Sequence, residues 1–524
     1  MICDYNYPWV PDQQDGTYRN PVLYADYSDP DAIRDGDDFW MTASSFNCTP
    51  GLPILHSRDL VNWKLVNYAI QNNPDPRGVF HTVQPGCGVW APAIRKHAGL
   101  FWIFFPLPDE GIYVTTATDP RGQWSEPWLL LEGKGFIDPC PLWDEDGKAY
   151  LVHAYANSRC GIKHRLRVVE MTPDARQLIG QGRVVFDQPE RHPTCEGPKF
   201  MKKDGYYYIA APAGGVATGW QLILRARDVW GPYEEKVVLE QGKTPINGPH
   251  QGAYVDTPDG RWWFLHFQDV GVYGRIVHLQ PVEWKDGWPM TGIDQDGNGI
   301  GEPVLHHVKP IPGKEIVIPE TSDEFNSPVL GLQWQWHANH RPDWASLSAR
   351  KGWLRLYAQQ AQPQLRFQPN LLLQKFPTRC FTVETRISLQ AKTCGTEAGL
   401  TVMGRSHAAL VIAKTGECHQ LVYRVDDRVI HTRQIRSAEA VLKVSVESGG
   451  NCVFSFGFDD LPSETVMGTP FQASEGHWIG AKVGLFVRGP SVQAEEYADI
   501  DYFRFGPIGS FEQRVETSGR GLES

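Results

Sequence analysis

Three acidic residues in the first half of the chain, Asp29, Asp138 and Glu196, are each followed directly by proline or glycine. If they face one cavity, their like charges raise at least one pKa, and aromatic walls add a desolvation shift in the same direction. Such a cavity would hold one protonated carboxyl group and one ionised carboxylate, the pair that hydrolysis of a glycosidic bond requires. The three residues therefore predict acid–base chemistry on a sugar linkage.

The same residues belong to a repeated segment. Asp29, Trp90, Asp138, Glu196 and His250 each begin a stretch that reaches a glycine turn and continues as an aromatic strand, and neighbouring copies start about 48 to 61 residues apart. An acidic residue beside proline or glycine is a common turn former, which accounts for any single copy. It does not account for five copies in register, so the sequence favours an internal repeat.

The repeat predicts a radial arrangement of sheets. A unit of roughly 40–60 residues holds about four strands, which is the size of a propeller blade. Five blades closed in a ring need no exposed sheet edges, and the first strand of each blade lines the central channel. We therefore expect residues 1–315 to form a five-bladed β-propeller in which the five leading residues meet at one mouth of the channel.

The pattern changes at about residue 323, where the repeat stops and alternating strands such as F-T-V-E-T-R-I-S-L and K-V-G-L-F-V dominate. Many strands with short turns over roughly 200 residues are typical of a β-sandwich. We therefore predict an all-β chain in which the propeller, 1–315, is followed by a concanavalin- or lectin-like β-sandwich, 316–524. The Gly- and Pro-rich stretch 291–322 is the expected junction.

Composition narrows the classes of function. The net charge of −11 argues against nucleic-acid binding, and no apolar run approaches the roughly 18 residues of a membrane span. The first residues, M-I-C-D-Y-N-Y-P-W-V, lack the basic segment and apolar core of a signal peptide, so we expect a cytoplasmic protein or one whose leader has been removed. The cysteines include no C-x-x-C pair and predict no zinc site. A homo-oligomer is compatible with the sequence, which does not specify one.

Aromatic and cationic residues complete the predicted site. Trp90 and Phe46 offer flat apolar surfaces for the C–H face of a sugar, and Arg275 offers donors to hydroxyl groups or to a carboxylate. Because the three carboxylates would come from separate blades, we expect them to be far enough apart to admit a water molecule. This spacing favours inversion at the anomeric carbon over retention.

Five short motifs carry a resemblance to a known family: D-P-D-A-I-R at Asp29, G-V-W-A-P at Trp90, F-I-D-P at Asp138, E-G-P-K at Glu196 and G-R…E-W-K-D-G-W-P at Arg275. Together they resemble glycoside hydrolase family 43, of the β-xylosidase/α-L-arabinofuranosidase type. The segments D-E-F-N-S-P and A-D-I-D-Y-F-R-F resemble the concanavalin-like sandwich of the same family. The resemblance therefore extends over both predicted domains.

The resemblance implies a role for each acidic residue. Asp29 would be the general base, Glu196 the general acid, and Asp138 the residue that tunes the pKa of the acid and orients it. Arg275 would hold Asp138 and a substrate hydroxyl. Many relatives read N-P-D-P-S where this chain has S-D-P-D, so Asp31 would add a carboxylate near the base.

His250 matches the channel histidine that, in many family members, helps to hold a central calcium ion largely through water. Calcium in the central channel is therefore the one cofactor that the resemblance implies, and no organic cofactor is expected. Histidine is an unusual direct ligand for so hard a cation. A neutral histidine that is hydrogen-bonded in the channel is the alternative.

The motifs together predict an exo-acting, inverting glycoside hydrolase that releases xylose, L-arabinofuranose or both from xylo- or arabino-oligosaccharides. A C-terminal domain that packs on the propeller and narrows the pocket would favour action on chain ends. A separate carbohydrate-binding module is the other interpretation of this domain. For the whole chain, the alternatives are an endo-arabinanase, which needs an open groove, and a non-catalytic carbohydrate-binding propeller.

Overall fold

The computed structural model describes residues 5–458, 461–466, 470–492 and 495–511. Regular structure in these ranges is almost entirely β-strand. Within them, five antiparallel sheets of four strands form the first domain, and each sheet is built from one continuous stretch of chain. The predicted five-bladed β-propeller is therefore confirmed.

The propeller begins with the short strand β1 (Thr17–Arg19) and continues through the five blades. Their strands are, in blade 1, β2 (Asp31–Asp35), β3 (Asp38–Thr42), β4 (Gly51–Ser57) and β5 (Trp63–Ile70); in blade 2, β6 (Ala93–His97), β7 (Leu100–Leu107), β8 (Gly111–Ala117) and β9 (Trp128–Glu132); in blade 3, β10 (Phe136–Trp143), β11 (Ala149–Tyr155), β12 (Arg165–Met171) and β13 (Leu178–Asp187); in blade 4, β14 (Lys199–Lys203), β15 (Tyr206–Ala213), β16 (Trp220–Ala226) and β17 (Glu234–Leu239); in blade 5, β18 (His250–Asp256), β19 (Trp262–Asp269), β20 (Arg275–Lys285) and β21 (Trp288–Thr291). Strand β22 (His306–Val308) follows the last blade.

The helical segments are short. The α-helix α1 (Asn157–Cys160) lies between β11 and β12, and 3₁₀ turns occupy Gly271–Tyr273, Pro342–Trp344 and Leu365–Phe367. In the part of the chain that the structure describes, no helix has the length and apolar character needed to cross a bilayer.

A glycine with a left-handed backbone turns the chain between the first and second strands of every blade. These residues are Gly36, Gly99, Gly147, Gly205 and Gly260, with φ values of 62°, 77°, 84°, 72° and 83°. Glycine reaches this conformation without the steric cost that a Cβ adds. The glycine turns of the sequence repeat are thus the tight turns of the blades.

Each blade is packed against both of its neighbours. Consecutive side chains of a strand point to opposite faces, so Phe104 of β7 lies in the core between blades 2 and 3. Ile103 and Phe105 lie in the core between blades 1 and 2. Because both faces of the sheet are covered, the second strand of the blade is a continuous apolar run.

The ring closes between blade 5 and blade 1. Met41 of blade 1 and Leu265 of blade 5 belong to one buried cluster. Strand β1 pairs with β22, and Leu23 forms a backbone bridge with Val277 of β20. The first strands of the blades lie side by side around the channel, with β18 next to β2, β2 next to β6, β6 next to β10 and β10 next to β14.

The second domain is a sandwich of two sheets, each with eight strands in the described ranges. Its strands are β23 (Gln335–Trp336), β24 (Ala345–Ser346), β25 (Leu354–Tyr357), β26 (Gln359–Gln360), β27 (Leu372–Lys375), β28 (Phe381–Gln390), β29 (Glu397–Met403), β30 (His407–Thr415), β31 (Cys418–Val425), β32 (Arg428–Ile435), β33 (Glu439–Glu447), β34 (Asn451–Phe458), β35 (Leu461–Thr465), β36 (Phe471–Gln472), β37 (Lys482–Gly489) and β38 (Tyr497–Gly506). One sheet has the order β23-β27-β37-β29-β30-β31-β32 with β26 on β37, and the other has the order β24-β25-β38-β28-β33-β34-β35 with β36 on β34. The predicted sandwich is confirmed.

The sandwich is packed directly on the propeller. Tyr24, at the start of the propeller, and Phe376 of the sandwich belong to the same apolar core. The carboxylate of buried Asp26 accepts hydrogen bonds from the amides of Arg275 and Gly480, at 2.9 and 3.0 Å, and so joins the two domains. The predicted boundary at 315/316 falls in the stretch between β22 and β23.

Candidate active site

The five residues that lead the repeat all lie where an inner strand begins. Asp29, Trp90 and Glu196 come just before β2, β6 and β14, and His250 is the first residue of β18. Asp138 lies in β10, at an irregularity in its pairing with β11. Because the inner strands surround the channel, the five residues are collected at one end of it.

Asp29 is held by three side-chain donors. Its backbone is left-handed, with φ of 55°, a conformation that aspartate adopts more readily than most residues. Its Oδ2 accepts hydrogen bonds from Ser28 Oγ at 2.7 Å and Ser44 Oγ at 2.6 Å, and its Oδ1 accepts one from Arg275 Nη1 at 2.9 Å. Both oxygens of this buried carboxylate are therefore oriented, and Arg275 balances its charge.

Asp31 does not join this group, contrary to the expectation that it adds a carboxylate near Asp29. It is the first residue of β2 and is fully buried. Its Oδ2 lies 2.7 Å from Arg95 Nη1, and its Oδ1 lies 3.9 Å from Lys199 Nζ. The two carboxylates diverge because the left-handed backbone of Asp29, with φ of 55°, precedes the extended strand that begins at Asp31.

Asp138 and Glu196 are linked through the backbone. The amide of Gly197, which follows Glu196, donates a hydrogen bond of 2.8 Å to Oδ2 of Asp138. Gly197 has φ of 59°, and a Cβ at this position would lie 2.8 Å from Cγ of Pro212. Only glycine fits this turn without displacing its neighbours. The turn therefore fixes the position of Glu196 relative to Asp138.

The electrostatics of this pair favour retention of a proton. Burial raises the pKa of Asp138, and the charges of Glu196 and Asp29 raise it further. Burial also raises the pKa of Glu196; Arg275 opposes that rise and Asp29 adds to it. Two buried carboxyl groups that repel each other do not both ionise freely, so the pair holds one proton at a pH where an exposed carboxyl group has lost it.

Arg275 pairs with Asp29 and not with Asp138, which corrects the expectation that it would hold Asp138. Its Nη1 donates to Ser28 Oγ and Asp29 Oδ1, both at 2.9 Å, and its guanidinium lies 4.7 Å from the centre of the Phe267 ring. The reason is topological, since Arg275 opens β20 in blade 5 and the closed ring puts blade 5 beside blade 1. Asp138 belongs to blade 3.

Phe46 and Trp90 lie together beside these carboxyl groups. Phe46 follows Ser44 by two residues and forms a two-hydrogen-bond backbone bridge with Val89. Phe46 is only 3% exposed, so it packs behind the surface of the site. Trp90 is partly exposed, and its Nε1 donates to the carbonyl oxygen of Gly86 at 3.1 Å. Stacking of a sugar on either ring stays a prediction.

His250 is buried near the same end of the channel. Its Nε2 lies 3.0 Å from the carbonyl oxygen of Gly215, and burial lowers the pKa of the imidazole to about 4. The ring is therefore neutral and donates Nε2–H to Gly215. Its Nδ1 is buried and has no hydrogen-bond partner among the described residues.

These surroundings do not fit a calcium ion that protein side chains coordinate directly. Calcium takes about six to eight oxygen ligands, whereas His250 offers a single imidazole nitrogen. Within the ranges that the structure describes, no group of three or more His, Cys, Asp or Glu side chains could hold a metal ion. The calcium site stays a prediction, and no chemical step below uses a metal.

A loop of the sandwich, residues 474–480, reaches the same end of the propeller and was not foreseen from the sequence. The ring of Trp478 lies 5.8 Å from the guanidinium of Arg275, and Trp478 is 46% exposed. His477 lies over Gly86, where a Cβ would come within 2.3 Å of its Cδ2. No short motif marks this loop, because its place depends on how the two domains dock.

Comparison with known proteins agrees with this architecture. Residues 18–289 match the family described as Glycosyl hydrolases family 43, and residues 322–506 match the Beta xylosidase C-terminal Concanavalin A-like domain. Among solved structures, one described as Bacteroides ovatus Xyloglucan PUL GH43B superimposes with a TM-score of 0.82 at 25% identity, covering 94% of this chain and 100% of that one.

Two curated relatives cover most of the chain. A putative beta-xylosidase from Xylanibacter ruminicola is 40% identical over 473 residues, which are 90% of this chain and 86% of that protein. A non-reducing end alpha-L-arabinofuranosidase from Bacteroides ovatus is 27% identical over 532 residues, which are 93% of this chain and 94% of that protein. The chain therefore belongs to glycosyl hydrolases family 43 and is a glycoside hydrolase.

Proposed function

We propose that this glycoside hydrolase is exo-acting and inverting, and that it releases xylose, L-arabinofuranose or both from xylo- or arabino-oligosaccharides. The observation that carries this proposal is the separation of three carboxyl groups into two environments. Asp29 receives three donors, one of them a guanidinium. Burial raises the pKa of both Asp138 and Glu196. One side of the site thus suits a base and the other suits an acid.

The proposed reaction is a single displacement. Glu196 donates its proton to the glycosidic oxygen as the bond between this oxygen and the anomeric carbon breaks. Asp29 accepts a proton from a water molecule while the oxygen of that water forms the new bond to the anomeric carbon. The products are a sugar of inverted anomeric configuration and the shortened oligosaccharide, and the proton on Asp29 returns to solvent as Glu196 regains one.

Asp138 and Arg275 position the two reacting groups. Through the amide of Gly197, Asp138 fixes the turn that carries Glu196, and its charge discourages early loss of the proton from the pair. Arg275 holds the carboxylate of Asp29 through Nη1. Its Nε lies 3.8 Å from Oδ2 of Asp269, and its Nη2 has no hydrogen bond to the described residues. This part of the guanidinium is placed to bind a substrate hydroxyl.

Exo-action is supported by the sandwich loop at the mouth of the channel. Trp478 and His477 come from the second domain and lie over Arg275 and Gly86 of the propeller. An endo-arabinanase needs a groove that is open at both ends, and this loop stands across one side of the entrance. The names of the relatives, beta-xylosidase and alpha-L-arabinofuranosidase, supply the two candidate sugars.

Time courses of oligosaccharide hydrolysis test the proposal. Xylotriose and arabinotriose, each labelled at the reducing end, should lose one pentose at a time, so that free pentose and labelled disaccharide appear together. An internal cut in longer labelled chains would support an endo-enzyme. Binding of these sugars without any product would support the carbohydrate-binding alternative.

A further inference from the structure

A second cavity lies between the propeller and the sandwich, on the far side of the loop that carries Trp478. Its volume is about 260 Å³, which exceeds the roughly 150 Å³ of a cavity that admits a benzene ring. Asn47, Val83 and Pro85 line it from the propeller, and the sandwich supplies the remaining walls. The side chains proposed for catalysis do not line this cavity.

Lys482 is a buried cation on the wall of this cavity. It is 4% exposed, and its Nζ lies 3.0 Å from Cys48 Sγ and 3.3 Å from Gln335 Oε1. Among the described residues, these two are its side-chain partners, and it forms no ion pair with a carboxylate. Buried charges in proteins are normally paired, so this ammonium group lacks the counter-charge that its burial calls for.

Lys375, the neighbour of Lys482 on the adjacent strand, differs from it in having a negative charge nearby. Lys375 of β27 is paired in register with Lys482 of β37 and is partly buried, and desolvation lowers the pKa of its ammonium group to about 8. Lys375, however, has the charge of Asp26 nearby, which opposes that fall. The sandwich therefore presents one buried and one partly buried lysine to the propeller, and the propeller supplies a carboxylate near only the second.

The other ionisable side chains of the cavity are histidines and arginines, and burial lowers the pKa of His337 to about 3, so that its imidazole is neutral. His337 is 8% exposed, and its Nδ1 is buried without a hydrogen-bond partner among the described residues. Arg366, Arg405 and His477 add cationic or basic groups at the exposed rim. No described residue that lines the cavity is acidic.

The rest of the wall is apolar. It consists of Val83, Pro85, Phe367, Leu373, Met403 and Ile479. An inorganic anion could pair with Lys482 but would leave this apolar surface uncovered. A ligand with a flat apolar group would cover the surface as well. The chemistry of the cavity is therefore that of an anion joined to an apolar group.

We propose that this cavity is a binding site for a small aromatic carboxylate, with its carboxylate on Lys482 and His337 and its ring between Phe367, Met403 and Ile479. The site is separate from the catalytic pocket. The loop 474–480 contributes to both sites. His477 and Ile479 line the cavity, whereas Trp478, between them, lies near Arg275 of the catalytic pocket.

Calorimetric titration of the full chain tests this site. The probes are 4-hydroxycinnamate, its neutral amide and inorganic phosphate, each with and without saturating xylose. We expect saturable binding of 4-hydroxycinnamate at least about tenfold tighter than that of the amide, because a hydrogen bond between two charged groups is stronger than one to a neutral group. Xylose should leave this affinity unchanged. Lys482→Met should reduce binding of the acid to the level of the amide.

Several results would overturn the proposal. These are equal binding of acid and amide, displacement of the acid by xylose, equal binding of phosphate, unchanged binding by Lys482→Met, or no saturable binding of the acid. If Lys482→Met does not fold, as judged by its thermal transition, Phe367→Ala replaces it, because Phe367 is 37% exposed and its loss spares the core. That variant should weaken the acid and the amide equally, and unchanged binding by it would also refute the site.

Discussion

The amide of Gly197 donates a hydrogen bond of 2.8 Å to Oδ2 of Asp138. Because Gly197 follows Glu196, this contact couples the position of one carboxyl group to the other across blades 3 and 4. Burial raises the pKa of both groups. Asp138 and Glu196 therefore share a proton and act together. Asp29 is not part of this pair, because its carboxylate is bound by Arg275.

Removal of the proposed acid or base should abolish most of the activity. We expect Glu196→Gln and Asp29→Asn each to lower kcat at least about 100-fold, because each loses one proton transfer of the displacement. Initial rates on nitrophenyl xyloside and arabinofuranoside measure this. Asp37→Asn, which changes an exposed acidic residue in the turn after β2, is the matched control and should retain normal rates. Near-normal rates in both site variants would remove the assignment.

The pH profile should show the shared proton of Asp138 and Glu196. Since their pKa values are raised, kcat/KM should fall as pH rises through the near-neutral range, and not near the ordinary pKa of a carboxyl group. Asp138→Asn removes the like charge that opposes the last ionisation of the pair, so the alkaline limb should move to lower pH. A profile in which this limb does not move would separate Asp138 from the acid.

Stability should respond to the same proton. A folded state that binds a proton which the unfolded chain has released loses stability as pH rises. The pair should therefore lower the free energy of unfolding as pH rises between the ordinary carboxyl range and its raised pKa. Buried histidines such as His250, whose pKa is lowered to about 4, act in the opposite direction, because the folded form has released a proton that the unfolded chain keeps. The contribution of the pair is therefore the difference between wild type and Asp138→Asn, and the variant should gain stability relative to the wild type as pH rises through this range. Denaturant titrations at a series of pH values measure this difference, and a relative loss of stability in the variant with rising pH would contradict the shared proton.

Arg275 should affect the reaction in two separable ways. Arg275→Lys keeps the charge but loses the geometry that reaches Ser28 and Asp29 together, so kcat should fall at least about tenfold, as expected for a hydrogen bond to a charged group. The alkaline limb of the pH profile of Arg275→Lys should stay in place, because the positive charge is kept. Arg275→Gln also removes the charge that lowers the pKa of Glu196, so its alkaline limb should move to higher pH. Identical profiles for the two variants would exclude this electrostatic role.

Trp478 should contribute to binding of the substrate more than to chemistry. Trp478→Ala should raise KM for xylotriose by about three- to tenfold with little change in kcat, because it removes a half-exposed apolar ring beside Arg275 that a sugar can cover. Trp478→Phe should be closer to the wild type. A large loss of kcat with unchanged KM would place Trp478 in the chemical step instead.

Chelation tests whether a calcium ion in the central channel is needed for activity. Because the described residues around His250 form no oxygen-rich donor set, we expect EDTA treatment followed by desalting to leave kcat within about twofold of its starting value. Metal analysis of the treated protein provides the control for complete removal. A loss of activity that calcium alone restores would establish the ion that the family resemblance implies.

The ring of blades could be predicted because the sequence repeats it. Asp29, Asp138 and Glu196 occupy equivalent places in three copies, and closure of the ring brings equivalent places together. The sequence could not show that Asp29 and Asp31 diverge, since alternation along a strand does not apply to a residue with φ of 55°. Trp478 could not be placed at all, because its contact with Arg275 depends on how the two domains pack against each other.

The stereochemistry of the first product tests the central claim most directly. Proton NMR spectra recorded during the first minutes of hydrolysis of a β-xyloside or an α-L-arabinofuranoside distinguish the two anomers of the released pentose before mutarotation mixes them. A base that activates water opposite the acid predicts that the first sugar to appear has the inverted configuration. A first product with the configuration of the substrate would contradict the account, because it would require one of these carboxylates to attack the anomeric carbon itself.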